Sequence, residues 1–196
     1  MKAEGSFSHW YASLVGAWPF VLMVGVSLVL LVVITPEALV EWVGLENAYV
    51  LMFVTALLGG LTTFNTVPYL SMLLLLASGG LNPFLLGLAS ACGVMGGDTL
   101  SYMVGYQGAR VIPSALRSVF ERIYTVAEKH PQRFPLVCFL YGALCPLSND
   151  FITIPAGMAR ITYVRVMVPL ALGNLVFNIG MALFASTIYE YVAQFV

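Results

Sequence analysis

Gly142-Ala-Leu-Cys-Pro-Leu-Ser-Asn-Asp-Phe-Ile-Thr-Ile-Pro-Ala-Gly157 is the stretch on which the fold turns. It closes an apolar block, Phe134–Gly157, that by length crosses a bilayer once at about 20 residues per crossing. Pro135, Pro146 and Pro155 argue against a smooth helix, because each lacks the N–H that a helical hydrogen bond needs. Asn149 and Asp150 place polar groups in the middle. The block therefore reads as a re-entrant hairpin with Asn149-Asp150 at its tip. Irregular backbone at membrane depth survives where protein or a water-filled cavity satisfies it. Asp150 then either caps the second leg or faces a wet pathway, and the sequence leaves both open.

The rest of the chain supplies the membrane. It is 60% hydrophobic and 9% charged, with a mean hydropathy of +0.94, whereas soluble domains run near a quarter charged. We read an all-α, polytopic membrane protein, a single domain over its 196 residues. A net charge of −1 argues against a nucleic-acid partner. Cys92, Cys138 and Cys145 lie in apolar runs without metal or disulfide spacing. No nucleophile–base set or metal cluster stands out, so no enzyme, no metal and no cofactor are expected. Membrane lipids are the expected partners.

Residues 17–35 form the first expected transmembrane helix, too long and without the cleavage site of a removable signal. His9, Trp10 and Tyr11 precede it at the headgroup level. Pro36–Asn47 reads as a short interfacial helix, with Glu37 and Glu41 on one face and Leu39, Trp42 and Val43 on another. Residues 48–80 are too few for two crossings, so they read as a hairpin. Its legs are Ala48–Leu58 and Pro68–Ser78, and its tip holds Thr62, Thr63, Asn65 and Thr66. Phe84–Tyr106 is a full span, in which Gly93 and Gly97 permit close approach, within the chain or in a homo-oligomer. Arg110–His130 is amphipathic and interfacial. Tyr163–Tyr189 is the last span and carries Asn174 and Asn178 one turn apart.

The order interfacial helix, hairpin, span thus occurs twice, in residues 36–106 and 107–190. The first interfacial segment has three acids and no Lys or Arg. The second, counted over residues 107–133, has Arg110, Arg117, Arg122, Lys129 and Arg133. Positive-inside logic puts the second in the cytoplasm and the first outside, in a multi-pass protein of the cytoplasmic (inner) membrane. A re-entrant Phe134–Gly157 keeps Arg160 and Arg165 inside as well. The repeats are then inverted, which places a substrate site near the midplane where broken helices meet.

Asp98 is the strongest site candidate, because a carboxylate deep in a span costs about 2.5–3.5 kcal/mol on insertion scales. Asn149, Asp150, Asn65, Asn174, Asn178 and Tyr102 complete the expected substrate or proton pathway. Arg110, Arg160 and Arg165 are expected headgroup contacts at the cytoplasmic mouth, or plain positive-inside anchors.

Two motifs carry a family resemblance. Gly97, Asp98, Tyr102 and Gly105 resemble Gly-Asp-x-x-x-Tyr-x-x-Gly. Pro146 is followed by Ala156-Gly157, at ten and eleven residues. The chain resembles the DedA family, or VTT-domain/SNARE-associated Golgi protein superfamily, and within it a small YqaA-like branch. That resemblance makes Gly97, Gly105, Pro68, Pro146 and Gly157 structural motif positions, to which the G-x-x-x-G step adds Gly93 and helix breaking adds Pro155. It implies lipid transport: some members flip undecaprenyl phosphate, others scramble phospholipids, and proton coupling is proposed for bacterial ones. The family pattern has arginines where Ala143 and Asn149 stand, an acid just after Pro68 where Tyr69, Leu70 and Ser71 stand, and an arginine at Tyr106. The leading expectation is a flippase or scramblase passing a phospholipid or polyprenyl-phosphate headgroup between the hairpins. The alternatives are a proton- or cation-coupled small-solute transporter and a non-transporting assembly protein.

Overall fold

A computed structural model describes residues 36–60, 66–107, 117–130 and 132–193. The expected first helix at 17–35, Asn65 and Arg110 lie outside them. The described residues form eight helices and no strand: α1 Pro36–Val43, α2 Leu45–Gly60, α3 Thr66–Ser78, α4 Pro83–Tyr106, α5 Arg117–Lys129, α6 Phe134–Leu144, α7 Asp150–Met158 and α8 Tyr163–Ala193.

Only two of these helices are long and apolar enough to cross a membrane, Pro83–Tyr106 and Tyr163–Tyr191. At about 1.5 Å per residue, the 24 residues of α4 rise about 36 Å, more than the roughly 30 Å of a hydrocarbon core. The faces they turn outward are apolar: Leu85, Leu88, Leu100 and Val104 on α4, and Val164, Val168, Leu172, Val176 and Phe184 on α8, are all exposed. Helices that bury their apolar residues against a core and wet a polar face look different. Apolar outward faces on helices of this length fit a hydrocarbon surrounding.

The short helices are legs. α2, α3, α6 and α7 have 16, 13, 11 and 9 residues, and each rises less than about 25 Å. α2 lies along α4 in the same direction. Phe53, Ala56 and Leu57 flank Gly93, and Gly60 meets Gly97. The first leg thus starts beside the beginning of α4, where the Asn82 N–H donates to the Tyr49 hydroxyl at 3.1 Å, and ends beside its middle. α3 returns, and a tight turn leads straight into α4. That helix is started firmly: Asn82 Oδ1 accepts from the Phe84 and Leu85 N–H groups at 2.9 and 3.3 Å, and Pro83 occupies the first helical position. α6 lies along α8 in the same manner, with Gly173 set against Phe139, Gly142 and Ala143. α4 and α8 themselves run antiparallel: Gly87 packs on Ile179, Ser90 bonds to Asn178, and Asp98 bonds to Asn174.

The turn before α4 recurs before α8, 80 residues on. The N–H groups of Gly79, Gly80 and Leu81 bond to the carbonyls of Leu75, Ala77 and Leu76. Those of Ala159, Arg160 and Ile161 bond to Pro155, Gly157 and Ala156. Burial repeats with it, position for position, from 73–90 to 153–170. The left-handed residue is Gly80 (φ +83°) in the first turn and Arg160 (φ +53°) in the second. An L side chain in that region costs about 1–2 kcal/mol. The units also exchange partners. α3 packs on α8 and α7 on α4, while α6 and α7 hardly touch each other. One core cluster joins Leu70, Leu73 and Leu76 to Ala182 and Ala185, and the other joins Ile152 and Ala156 to Tyr102 and Leu170.

Pro155 departs from expectation. It sits inside α7 rather than breaking it, and Pro135 sits in the first turn of α6, where no helical bond is lost. Of the three prolines only Pro146 lies in the break between the legs.

Glycines divide by what a Cβ would meet. At Gly93, Gly97, Gly105, Gly157 and Gly173 it would overlap the backbone of the neighbouring helix, whereas at Gly180, inside α8, it meets nothing within 4 Å. Gly180→Ala is therefore expected to leave the melting midpoint unchanged or raise it by a few degrees, through the higher helix propensity of alanine. A thermal melt of the purified protein in detergent checks this, and a fall in midpoint contradicts it.

Candidate functional site

Asp98 lies two-thirds of the way along α4 and is 2% exposed. Its neighbour Gly97 lets α2 come flush, so that Gly59 and Gly60 reach the carboxylate's side of the helix. From the second unit, Asn149 Nδ2 donates to Asp98 Oδ2 at 2.8 Å. From α8, Asn174 Nδ2 donates to the same oxygen at 3.4 Å. The network continues outward. Asn178 Nδ2 donates to the Asn174 carbonyl oxygen at 2.8 Å, and Asn178 Oδ1 accepts from Ser90 Oγ at 3.0 Å. Every side chain in this chain of bonds is buried.

A small chamber adjoins Asp98. Its walls include Gly59, Gly60 and Tyr69 from the first unit, Pro146, Ser148 and Asn149 from the break in the second, and Asn174 and Phe177 from α8. Residues from both pairs of short helices and their connections thus converge on one carboxylate. The open space is about 20 Å³, room for about one water. No Lys, Arg or His lines it among the described residues. Amide dipoles, rather than a cation, face the carboxylate. Burying an acid is tolerable only when hydrogen bonds replace its hydration.

The arrangement explains Asn149 and Asp150 together. Asn149 stands at the N-cap of α7 with helical backbone angles (φ −67°, ψ −13°) and makes no cap bond with its side chain, whose amide nitrogen donates to Asp98. Its backbone carbonyl accepts from Thr153 Oγ1 at 3.1 Å instead. Asp150 is the first residue of α7, buried, with its N–H donating to Ser148 Oγ at 3.3 Å. A carboxylate in a first turn is favoured by the helix dipole.

Asp98, Asn149, Asn174 and Asn178, expected from the sequence as one pathway, do come together, with Asp150 next to Asn149. Tyr102 belongs elsewhere: its hydroxyl donates to the Ile161 carbonyl. Arg160 lies over the Tyr106 ring, 5.3 Å from its centroid, and Arg165 is exposed. Neither lines the chamber. Gly93 and Gly97 seat α2, and Gly105 and Gly157 seat α7, each on α4. Pro68 falls in the first turn of α3. Sequence reasoning passed over Ser90, Tyr69 and Phe177. Ser90 had a signal, lying two turns before Asp98 on the same face of α4.

An all-helical membrane protein with two long apolar helices and a carboxylate buried between them is the class this geometry defines. The chain belongs to the VTT domain family, whose model matches residues 67–187. That match covers α3 to most of α8 and includes Asp98, Asn149, Asn174 and Asn178. No curated relative and no solved structure matches the chain.

Proposed function

We propose that the protein is a lipid transporter, a flippase or scramblase of the cytoplasmic membrane, in which a headgroup crosses beside Asp98. The carrying observation is the convergence of Gly59, Gly60 and Tyr69 with Pro146, Ser148 and Asn149 around that one buried carboxylate. The antiparallel α4 and α8, each with a pair of short legs that starts and returns at its own N-terminal end, support an inverted repeat of two re-entrant hairpins. In such repeats the substrate site lies at the midplane. Asp98 and the asparagines supply hydrogen bonds that replace headgroup hydration. The Asp150 arrangement, beside Asn149 where the DedA pattern carries an arginine, supports the YqaA-like branch.

The chamber sets a condition. Room for one water does not pass a headgroup, so the described state is closed. Transport requires α7, and Asn149 with it, to draw away from α4. The same small volume favours a second reading, a proton- or cation-coupled small-solute transporter whose coupling ion alone reaches Asp98. Dithionite quenching of fluorescent lipids in proteoliposomes separates the two. Quenching of clearly more than half the label, for wild-type protein in sealed vesicles, is the expected result. Quenching held at half for phosphatidylglycerol, phosphatidylethanolamine and phosphatidylcholine probes removes passive scrambling of those lipids and leaves the gradient-driven reading.

A further inference from the structure

At the C-terminal end of α4, where it meets the turn into α8, lies a second and larger pocket of about 550 Å³. Its walls are Tyr102, Met103, Tyr106, Gln107, Arg160, Thr162 and Tyr163, and no Asp or Glu lines it among the described residues. Two of the three rings are fixed by their hydroxyls. Tyr102 donates to the Ile161 carbonyl. Thr99 Oγ1 donates to the Met95 carbonyl at 2.8 Å, so at its 2.8 Å contact with Tyr163 the tyrosine is the donor. Tyr102 and Tyr163 meet edge to face at 5.5 Å, and Tyr106 stacks on Tyr102 at 6.2 Å. The result is a rigid aromatic floor. Arg160 stands above it with its guanidinium 5.3 Å from the Tyr106 centroid.

Why an arginine is there does not follow from the turn. The sister turn makes the same three backbone bonds with Gly80 at the left-handed position, where a Cβ would meet nothing within 4 Å. Arg160 accepts the same left-handed backbone and its strain, and such strain is kept where a side chain has work to do. A guanidinium presents a planar fork matched to phosphate oxygens. Half-exposed Met103 and the ring faces give the pocket an apolar side. The volume lies in the range of small-molecule sites, about 300–1,000 Å³.

We propose that this pocket binds the phosphate group of an anionic lipid at the membrane boundary, with Arg160 as the phosphate ligand and Tyr102, Tyr106 and Met103 against the glycerol and upper acyl chain. The site is separate from the Asp98 chamber, and the counterpart of its arginine in the sister turn is Gly80, so it would take lipid from one leaflet. It goes beyond the translocation reading and is measured by binding, so it stands or falls independently of scrambling.

The test titrates purified full-length protein in maltoside micelles with dihexanoyl phosphatidylglycerol, dihexanoyl phosphatidylcholine and inorganic phosphate. Wild type, Arg160→Gly and Tyr106→Leu are compared, and each is melted in parallel. Wild type is expected to bind the anionic lipid saturably and at least about tenfold more tightly than the zwitterionic one. Arg160→Gly is expected to lose that preference while melting at or above the wild-type midpoint, since glycine relieves the left-handed strain. Tyr106→Leu is expected to weaken anionic-lipid binding several-fold. Unchanged preference in Arg160→Gly overturns the proposal. So does a clear fall in its melting midpoint, which would make the arginine an anchor of the α4 terminus. Phosphate bound as tightly as the lipid overturns the lipid source and leaves a free-anion site.

Discussion

Asp98→Asn is expected to slow lipid translocation at least about tenfold while the protein folds, elutes and melts as wild type does. The carboxamide has the shape of the carboxyl, and its oxygen can accept from Asn149 and Asn174 as Asp98 Oδ2 does at 2.8 and 3.4 Å. What is lost is an acid–base group that can take up or release a proton as the headgroup passes. A hydrogen bond made to a charged headgroup in passage contributes about 1.5–3 kcal/mol, which at about 1.4 kcal/mol per decade is roughly ten- to a hundredfold in rate. Asp98→Leu is the informative companion. It leaves two buried amides without an acceptor, at about 1–3 kcal/mol each, and is expected to lower the melting midpoint as well as transport. Scrambling rates in proteoliposomes, normalised to reconstituted protein, read the first effect, and melts in detergent read the second. Wild-type transport in Asp98→Asn would remove the carboxylate from the mechanism and leave it a structural acceptor.

The contrast between these variants depends on why the acid is affordable at all. Between α4 and α8 the chain places asparagine rather than arginine or lysine, so the carboxylate meets dipoles instead of a counter-charge. Four groups from three separate segments are needed: Asp98 from α4, Asn149 from the break, and Asn174 and Asn178 from α8. Their polarity made each of them visible in the sequence, because a polar residue in an apolar run must find a partner. Their pairing was not visible. Nothing local says that the Asn149 amide reaches α4.

Helix placement was legible for the same reason. Asn82-Pro83, Gly79-Gly80 and Pro146 punctuate the chain by local chemistry, and the ends of α3, α4 and α6 follow them. Pro155 misled, since a proline late in a nine-residue helix forfeits only one bond and α7 persists around it. The recurrence of the turn and its burial 80 residues on was not legible. At the level of residues it is nearly erased: the matched turns read Ser78-Gly-Gly-Leu-Asn-Pro83 and Met158-Ala-Arg-Ile-Thr-Tyr163. Backbone bonding and burial are kept where side chains are not, because the turn demands a left-handed residue and a buried one after it, and many residues satisfy the second demand.

Gly105→Val and Gly157→Val are each expected to abolish the folded, monodisperse protein. The two glycines close one seam from opposite sides. A Cβ on Gly105 would overlap the Ile154 backbone, and one on Gly157 would overlap the Tyr102 carbonyl and stand 2.7 Å from the Tyr106 nitrogen. Overpacking a core usually costs about 1–3 kcal/mol because side chains move aside. Here the obstacle is backbone on both faces, so α7 itself must shift, and the cost is expected at about 3 kcal/mol or more. α7 also carries Asn149 to Asp98, so any shift breaks the 2.8 Å bond at the site. The alanine variants make the argument sharper. Gly105→Ala and Gly157→Ala should each lower the melting midpoint, and the double variant should fall short of the sum, because a seam opened for one methyl already admits the other. Size-exclusion profiles and melts in detergent measure both claims. Two single valine variants that elute and melt as wild type would mean that α7 does not sit against α4, and the path by which the broken helix reaches the carboxylate would have to be redrawn.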